Sequence, residues 1–361
     1  MCYLNKDAMQ AIEKINLKIP SFDQLRRWFL DQSFPAYRSR QLVHWLYFKK
    51  ISRLDQMTNF AKKERAFLEE NSYISDIETV RESASGDGTV KFLFRLEDGQ
   101  QIEAVLIPDR DRKTLCISTQ AGCGLDCQFC LTATGGLRRN LRAHEIVDQY
   151  LSVAREHAVT NIVMMGMGEP LANLQEVSEA ILRLTDPGAC SFSPRRITVS
   201  TAGMVPGIDK LGELPAKVNL AVSLNATTDA VRDRIMPINK TYPLATLLSA
   251  CRAYPLAPRR RIFFEYVLLE GVNDSPQDAR RIPGLLRGIP SKINLIPFNP
   301  FPGSGFRRPA EKSILAFQKI LVDAGMTAFI RKTRGEDVLA ACGQLVHLSA
   351  SGKKLSVKPN P

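Results

Sequence analysis

The feature that most constrains this chain is a group of three cysteines spaced C-x3-C-x2-C: Cys123, Cys127 and Cys130. Three thiolates can hold three irons of a [4Fe–4S] cluster and leave the fourth iron open to another ligand. The alternative is a zinc knuckle. Zinc prefers four ligands, usually in two pairs, and the nearest histidine, His144, lies fourteen residues beyond Cys130. The spacing therefore favours an iron–sulfur centre with one open iron.

The composition is that of a globular protein, with 44% hydrophobic and 24% charged residues in a chain of 361. There is no run of about eighteen apolar residues and no apolar signal core at the N-terminus, so we expect a cytoplasmic protein without a membrane segment. Eight cysteines are too few for a disulfide scaffold of this length. The net charge of +12 suggests an anionic partner such as nucleic acid, although a charge that serves solubility is the alternative.

Residues 1–75 predict a helical accessory domain. Ser21 can cap a helix whose apolar face includes Leu25, Trp28 and Phe29. Basic residues accumulate in this part of the chain: Arg26, Arg27, Arg38, Arg40, Lys49, Lys50 and Arg53. A compact basic module of this kind suggests RNA docking, and a solvated helical face is the alternative.

Residues 76–113 predict a β-hairpin that links or extends the domains. Two stretches of alternating hydrophobicity, 90–96 and 101–107, flank the turn signal Asp98-Gly99. Glu103 lies within the second stretch. A lone glutamate in a strand usually faces solvent, so its position alone does not indicate catalysis.

Residues 114–347 predict an α/β fold, a partial TIM-like (β/α)6 barrel, because strands and helices alternate. The predicted strands are 115–119, 161–166, 196–200, 218–224, 262–269, 292–297 and 326–331. The cysteine loop directly follows the first of them, at the end of the barrel where such folds carry their chemistry. Residues 348–361 predict a disordered basic tail.

The cysteine spacing resembles the signature of radical S-adenosylmethionine (SAM) enzymes, in which the open iron binds the amine and carboxylate of SAM. Glycines in 164–170 would let a ligand approach the backbone, and Glu169 could bind the methionine ammonium. Out of context a Gly-Glu-Pro at a strand end is more often just a turn, but one strand after the cysteine loop it favours a contact to SAM. Three later strands end in polar residues that suit contacts to SAM, or else serve as caps and turns: Ser200, Ser223, Asn225 and Asn299.

Two further cysteines lie outside the motif. Cys116 is in the first predicted barrel strand, where a lone cysteine usually packs in the core. Cys342 follows the last strand, and basic residues before it (Arg331, Lys332 and Arg334) suit an exposed thiol whose thiolate is favoured. The spacing leaves open whether Cys116 and Cys342 meet.

Taken together, these motifs resemble the RlmN family of dual-specificity radical SAM methyltransferases, which act on adenosines of large-subunit rRNA and of tRNA. The matching stretches are 116–130, 164–170, 234–239, 292–301, 331–335 and 341–345. The resemblance extends over about residues 20–347.

The resemblance implies a mechanism that uses two SAM molecules and a [4Fe–4S] cluster on Cys123, Cys127 and Cys130. One SAM methylates Cys342, and the adenosyl radical from a second SAM removes a hydrogen from that methyl group. The carbon radical then adds to C2 of adenine. Cys116 releases the product by attacking Cys342, which leaves a transient disulfide, and Glu103 is implied as a proton acceptor.

The resemblance also implies the SAM contacts and the partners. The SAM contacts would be Gly168, Glu169, Ser200, Ser223, Leu224, Asn225 and Asn299. The partners would be 23S rRNA, tRNA and an electron donor such as flavodoxin or ferredoxin, with the enzyme a monomer. One competing interpretation is the related C8-adenine methyltransferase of the antibiotic-resistance type. Another is a non-catalytic, metal-containing RNA-binding protein, which would not need Cys116 or Cys342.

One residue departs from the family pattern: Asn225 stands where members commonly have histidine. Asparagine keeps a donor and an acceptor but loses the titratable ring. We therefore expect altered contact geometry to SAM with activity retained. Asn225→Ala should weaken SAM binding, measured by equilibrium dialysis, and an unchanged affinity would contradict a contact at this position.

Overall fold

The computed structural model describes residues 14–345, which form two compact units. One unit runs to Asp76 and includes Gly188–Cys190, and the other comprises Ile77–Pro187 and the chain from Ser191. The tail predicted at 348–361 and the first residues of the predicted accessory domain lie outside the described residues. No helix in the described range is long and apolar enough to cross a membrane.

The first unit is a small helical module. Its elements are β1 (Ile15–Asn16), α1 (Phe22–Asp31), α2 (Tyr37–Val43), α3 (Lys62–Asn71) and β2 (Ser72–Tyr73), and β1 pairs with β2 in parallel. Ser21 caps α1 as predicted, because its Oγ accepts from the Gln24 backbone N–H at 3.3 Å while the Gln24 side chain accepts from the Ser21 N–H at 2.8 Å. Buried Leu25, Phe29 and Leu68 form part of its core.

The second unit is built on a ten-stranded sheet, and the predicted α/β partial barrel is confirmed. Its first strands are β3 (Glu78–Ala84), β4 (Val90–Arg95), β5 (Gln101–Asp109) and β6 (Arg112–Cys116). These four pair antiparallel, so the predicted hairpin of β4 and β5 is continuous with the barrel sheet in one compact unit. Strand β6 ends at Cys116, three residues earlier than predicted.

The remaining strands and helices follow in alternation. The strands are β7 (Gln120–Gly122), β8 (Leu137–Asn140), β9 (Asn161–Met164), β10 (Ile197–Thr201), β11 (Asn219–Ser223), β12 (Ile262–Leu268), β13 (Ser291–Pro297) and β14 (Ala328–Ile330). The helices are α4 (Leu131–Thr134), α5 (Ala143–Val153), α6 (Leu174–Thr185), α7 (Val205–Glu213), α8 (Asp229–Ile235), α9 (Leu244–Ala253), α10 (Pro276–Leu285) and α11 (Glu311–Asp323).

The parallel part of the sheet runs from β6 through β9, β10, β11, β12 and β13 to β14. Its strands are largely apolar because crossover helices cover them, and side chains such as Ile162, Val199, Val222, Phe264 and Leu295 are fully buried. The carboxyl ends of these strands meet at one end of the barrel, and the polar residues predicted for the site follow or end them.

A short hairpin that the sequence did not predict encloses the cysteine motif. Strands β7 and β8 pair antiparallel on either side of it. Arg139 on β8 forms ion pairs with Asp98 at 2.6 Å and with Glu145 on α5 at 2.7 Å, which ties the hairpin to two other elements. Gly122 has a φ of +80°, and a Cβ atom there would lie 2.0 Å from the carbonyl oxygen of Gly136.

Gly122→Ala should therefore destabilise the protein more than Gly136→Ala. Both glycines have positive φ, which costs a residue with a side chain about 1–2 kcal/mol, but a Cβ at Gly136 would meet no atom within 4 Å. We expect Gly136→Ala to lose about 1 kcal/mol and Gly122→Ala about 3 kcal/mol or more of the free energy of unfolding. Urea unfolding measures both, and equal losses would contradict the steric argument.

Candidate active site

A cavity opens at the carboxyl ends of the parallel strands and brings most of the predicted site residues together. Those that line it are Cys123, Cys127, Cys130, Gly168, Glu169, Ser200, Ser223, Asn225, Asn299 and Cys342. Glu265 and Arg331 also line it. Three predicted residues, Glu103, Cys116 and Leu224, are buried outside the lining.

The loop that carries the three cysteines is fixed by backbone hydrogen bonds. The Cys123 N–H donates to the Gly136 carbonyl at 3.0 Å, and the Gln128 N–H donates to the Ile235 carbonyl at the end of α8 at 3.0 Å. Burial raises the pKa of Cys123 to about 11 and raises that of Cys127 well above its ordinary value. A bound metal centre would supply the positive charge that favours the thiolate forms of these buried cysteines.

The arrangement of these thiols suits a cluster better than a single ion. Within residues 14–345 no three His, Cys, Asp or Glu side chains converge closely enough to share one metal ion. The ligands of a [4Fe–4S] cluster each bind a different iron, so they need to face one cavity without meeting at one point. The three cysteines meet that requirement, whereas a tetrahedral zinc site requires convergence of its ligands.

Glu169 is held rigidly at the end of the second parallel strand. Its carboxylate accepts from the Leu171 N–H at 3.0 Å and from the Ala202 N–H at 2.7 Å. Burial raises its pKa and these hydrogen bonds oppose that rise. Each carboxylate oxygen can accept a further hydrogen bond, so the group remains able to bind an ammonium in the cavity.

Asn225 has a left-handed backbone with φ +53°, which asparagine tolerates better than most residues. Its Oδ1 accepts from the Val267 N–H on β12 at 2.8 Å, and its Nδ2 donates to Met236 Sδ at 3.2 Å. The amide is therefore committed largely to contacts within the protein. Leu224 beside it is fully buried, and its carbonyl faces a buried arginine.

That arginine, Arg232 on α8, organises the ends of two neighbouring strands. Its guanidinium donates to three carbonyls, those of Leu224 at 3.0 Å, Ser223 at 3.0 Å and Ala202 at 2.6 Å. It also donates to the Asn239 side chain at 3.0 Å. Burial lowers its pKa to about 10, which leaves it charged at neutral pH.

The segment after β14 folds over the cavity and presents Cys342. The Gly343 carbonyl accepts from the Leu131 N–H at 2.7 Å, directly after the last cysteine of the motif. The Leu345 carbonyl accepts from Thr132 Oγ1 at 2.6 Å, and the Cys342 carbonyl accepts from Asn299 Nδ2 at 3.3 Å. Cys342 itself is exposed and is a free thiol.

Cys116 and Glu103 lie behind this segment on neighbouring strands. Cys116 on β6 is opposite Val105, two residues from Glu103 on β5, so both side chains face the same side of the sheet. Burial raises the pKa of Cys116 to about 12, and the Cys342 thiol is near enough to contribute to that rise. Glu103 forms a buried ion pair with Lys91 at 3.1 Å, and Lys91 also donates to the Leu339 carbonyl at 3.3 Å.

Comparison with known proteins agrees with this geometry. Residues 117–281 match the family model described as the radical SAM superfamily, and residues 15–74 match the one described as the ribosomal RNA large subunit methyltransferase N-terminal domain. A relative from Geobacter sulfurreducens, named dual-specificity RNA methyltransferase RlmN, is 52% identical over 96% of this chain and 94% of its own. A second relative of the same name, from Geotalea uraniireducens, is 51% identical over 92% of this chain and 97% of its own.

This chain belongs to the RlmN family. Its structure agrees, since a crystal structure of a radical SAM methyltransferase from Sphaerobacter thermophilus superimposes with a TM-score of 0.87 at 43% identity, covering 92% of this chain and 99% of that one. As a member of the RlmN family, the chain is a radical SAM RNA methyltransferase whose cofactors are a [4Fe–4S] cluster and SAM. The residues that line the cavity fit both groups.

Sequence reasoning missed two residues of this RlmN-family site. Glu265 interrupts the apolar run of β12, and a charge inside a central parallel strand was an available signal. Arg232 lies two residues before the matching stretch 234–239 and had no signal of its own. Glu103 was expected to face solvent on the residue pattern alone, but it is buried because Lys91 provides a partner charge.

Cys116 and Cys342, the two cysteines outside the motif, should differ sharply in reactivity. At pH 7.5 a pKa of about 12 leaves almost no thiolate at Cys116, so its alkylation by iodoacetamide should be at least about tenfold slower than that of exposed Cys342. The rate at Cys116 should rise with pH up to about 12, because the thiolate fraction rises. Peptide mass spectrometry measures both rates.

Cys251 is the matched control for this measurement. It is also buried with a pKa raised to about 12, but it lies away from the cavity. Cys116 and Cys251 should react at similar slow rates. Alkylation of Cys116 as fast as that of Cys342 would contradict the burial that the structure assigns to it.

Proposed function

We propose that this enzyme transfers a methyl group to C2 of adenine in 23S rRNA, at the peptidyl-transferase centre, and in tRNA, with Cys342 as the methyl carrier. The observation that carries the proposal is that Cys342 and the three motif cysteines line one cavity. In a member of the RlmN family, a shared cavity of this kind supports Cys342 as a methyl carrier that would lie near the cluster and SAM.

The target atom explains why such a site is needed. C2 of adenine is an electron-poor carbon between two ring nitrogens, so it cannot attack the methyl group of SAM as an ordinary nucleophile. When bound, the cluster and SAM supply the methyl group and the radical chemistry that this carbon requires. The protein must then hold a methylated thiol close to C2 and exclude competing reactions.

The proposed roles of the residues follow their positions. Cys123, Cys127 and Cys130 would hold the cluster, and Glu169 would bind the methionine ammonium of SAM. The other SAM contacts would come from Gly168, Ser200, Ser223, Leu224, Asn225 and Asn299. Asn299 also donates to the carbonyl of Cys342, which would link SAM binding to the position of the carrier.

Release of the product would require a second thiol. Transfer through Cys342 leaves a methylene carbon that joins C2 of the adenine to the Cys342 sulfur, and the bond between this carbon and the sulfur must break. The thiolate of Cys116 would attack the Cys342 sulfur and form a Cys116–Cys342 disulfide, and the electron pair of the broken carbon–sulfur bond would leave with the methylene carbon, which takes up one proton to become the methyl group. Glu103 would accept the proton released from C2, and the one electron left over from the radical addition would pass to the bound cofactor. The neighbouring strand positions of Cys116 and Glu103 support this assignment.

RNA would bind through the first unit as well as at the cavity. The family model that matches residues 15–74 is described as the N-terminal domain of a ribosomal RNA methyltransferase. Lysine and arginine on its helices would contact phosphates, and the target base would have to leave its stack to reach Cys342. We further propose a monomer that acts in the cytoplasm with flavodoxin or ferredoxin as electron donor.

The product of the reaction tests the proposal. Reconstituted enzyme, SAM, dithionite and a protein-free rRNA fragment or tRNA should give 2-methyladenosine under anaerobic conditions, as measured by nucleoside mass spectrometry. If the product is 8-methyladenosine, the mechanism stands but the enzyme has the related activity at C8 of adenine. No methylated adenosine with SAM still cleaved would contradict the proposed substrate.

Variants of two buried cysteines separate the proposed roles. Cys116→Ala should still methylate Cys342 but should accumulate RNA joined covalently to protein, seen as a shifted band on a denaturing gel, because nothing breaks the carbon–sulfur bond. Cys251→Ala, the matched variant of a buried cysteine away from the cavity, should behave as the unaltered enzyme does. Free methylated product from Cys116→Ala at the normal rate would contradict the role of Cys116.

A further inference from the structure

Glu265 is a buried carboxylate with one oxygen that lacks a partner. It lies on β12, is 6% exposed and lines the cavity. Its Oε1 accepts from Asn294 Nδ2 at 2.8 Å. Its Oε2 is fully buried and has no hydrogen-bond partner within residues 14–345. Buried carboxylate oxygens are almost always satisfied, so an unpaired oxygen on a side chain that lines an active-site cavity indicates a missing partner.

The charge of Glu265 is balanced only at longer range. Arg331 lines the same cavity and opposes the rise in the pKa of Glu265 that burial causes. The described side chains place no cation within ion-pair distance of Glu265. The carboxylate of Glu265 therefore has unused capacity as a hydrogen-bond acceptor, and a ligand that pairs with it must donate an N–H or an O–H.

The neighbours of Glu265 narrow the choice of donor. Ser223 on β11 is directly opposite Glu265 in the sheet register and also lines the cavity. Adjacent parallel strands lie about 4.8 Å apart, so a hydroxyl and a carboxylate project side by side into the cavity. Two neighbouring polar groups of this kind match the two adjacent hydroxyls of a ribose. A carboxylate that binds ribose hydroxyls is a recurrent solution in nucleotide-binding proteins.

We propose that Glu265 binds the ribose hydroxyls of SAM, next to Ser223. The inference rests on SAM as the cofactor and on the proposed role of Ser223 as a SAM contact. A contact between Glu265 and the ribose has a further physical consequence, because the sulfonium of SAM is attached to C5′ of the same ribose. A buried anion at the ribose attracts that positive charge and favours SAM over neutral products of its cleavage.

The test is a cycle that pairs a protein variant with a change in the cofactor. SAM, 2′-deoxy-SAM and 3′-deoxy-SAM are bound to cluster-loaded, oxidised full-length enzyme under anaerobic conditions, where no turnover occurs, and Kd is measured by equilibrium dialysis. We expect Glu265→Gln and Glu265→Ala to weaken SAM binding by about tenfold or more. In the unaltered enzyme, loss of at least one ribose hydroxyl should weaken binding by a similar factor. In Glu265→Ala, removal of the same ribose hydroxyl should weaken binding by less than about twofold.

The control is Glu270→Gln, a change of the same chemistry just after β12. Glu270 is half exposed and pairs with Arg307 at 2.7 Å, outside the cavity, so its Kd values should match those of the unaltered enzyme. Cluster absorbance and thermal unfolding show whether each variant is folded and loaded. Glu265→Gln keeps the shape of the side chain, and the deoxy analogues test the unaltered protein even if Glu265→Ala does not fold.

Two results would overturn the inference. The first is an unchanged Kd for SAM in Glu265→Gln, and the second is an equal cost of hydroxyl removal in the unaltered enzyme and in Glu265→Ala. Normal SAM binding and normal Cys342 methylation combined with loss of RNA methylation would assign Glu265 to the target adenine and reject the ribose. The identity of the RNA product in the unaltered enzyme is measured separately, so failure here is distinct from failure of the proposed function.

Discussion

The active end of the barrel depends on one buried cation, the guanidinium of Arg232. Where parallel strands end, their last carbonyls lose the partners that a sheet provides, and water would normally satisfy them. In this protein three such carbonyls, from Ala202, Ser223 and Leu224, accept hydrogen bonds from Arg232. Such charge-assisted hydrogen bonds each contribute about 1.5–3 kcal/mol. These hydrogen bonds tie the ends of β10 and β11 to α8.

Helix α8 also connects the cysteine loop to the ends of β10 and β11. Helix α8 carries Arg232 on one side, and its last residue, Ile235, accepts a hydrogen bond from Gln128 in the cysteine loop. Met236 follows and contacts Asn225. A shift of this helix would move the strand ends and the cysteine loop together. The cysteine loop and the strand ends are therefore positioned by one shared helix, α8.

Cys342, the proposed methyl carrier, is positioned differently. It lies on a segment held mainly by hydrogen bonds to backbone carbonyls, from Leu131, Thr132, Asn299 and Lys91. These donors come from elements far apart in the sequence. The position of Cys342 therefore depends on contacts with several elements of the barrel.

The sequence predicted those parts of the protein that depend on local pattern. The cysteine spacing, the alternation of strands and helices, the Ser21 cap and the turn at Asp98-Gly99 are all local signals, and the structure has each of them. The hairpin of β7 and β8 was missed because β8, Leu137–Asn140, is short and mostly charged or exposed. Its pairing depends on Arg139 meeting Asp98 and Glu145, which no local pattern encodes.

The roles of individual side chains were harder to predict than the elements. Whether Glu265 faces the cavity depends on strand register, and the burial of Glu103 depends on Lys91 in the neighbouring strand. The proximity of Cys116 and Cys342 depends on how the last segment folds back. Each is a contact between residues distant in sequence, which the residue pattern alone does not fix.

The open sheet has a consequence for how the molecule behaves beside other copies of itself. Within residues 14–345 the sheet ends at β3 on one side and at β14 on the other, and neither edge strand is covered by a further strand. Strand β3 is largely exposed, carries Glu78, Arg81 and Glu82, and has an irregular register between Thr79 and Arg81. Strand β14 has only three residues. Charged, irregular or very short edges resist strand pairing between molecules, so the barrel can stay open without promoting aggregation.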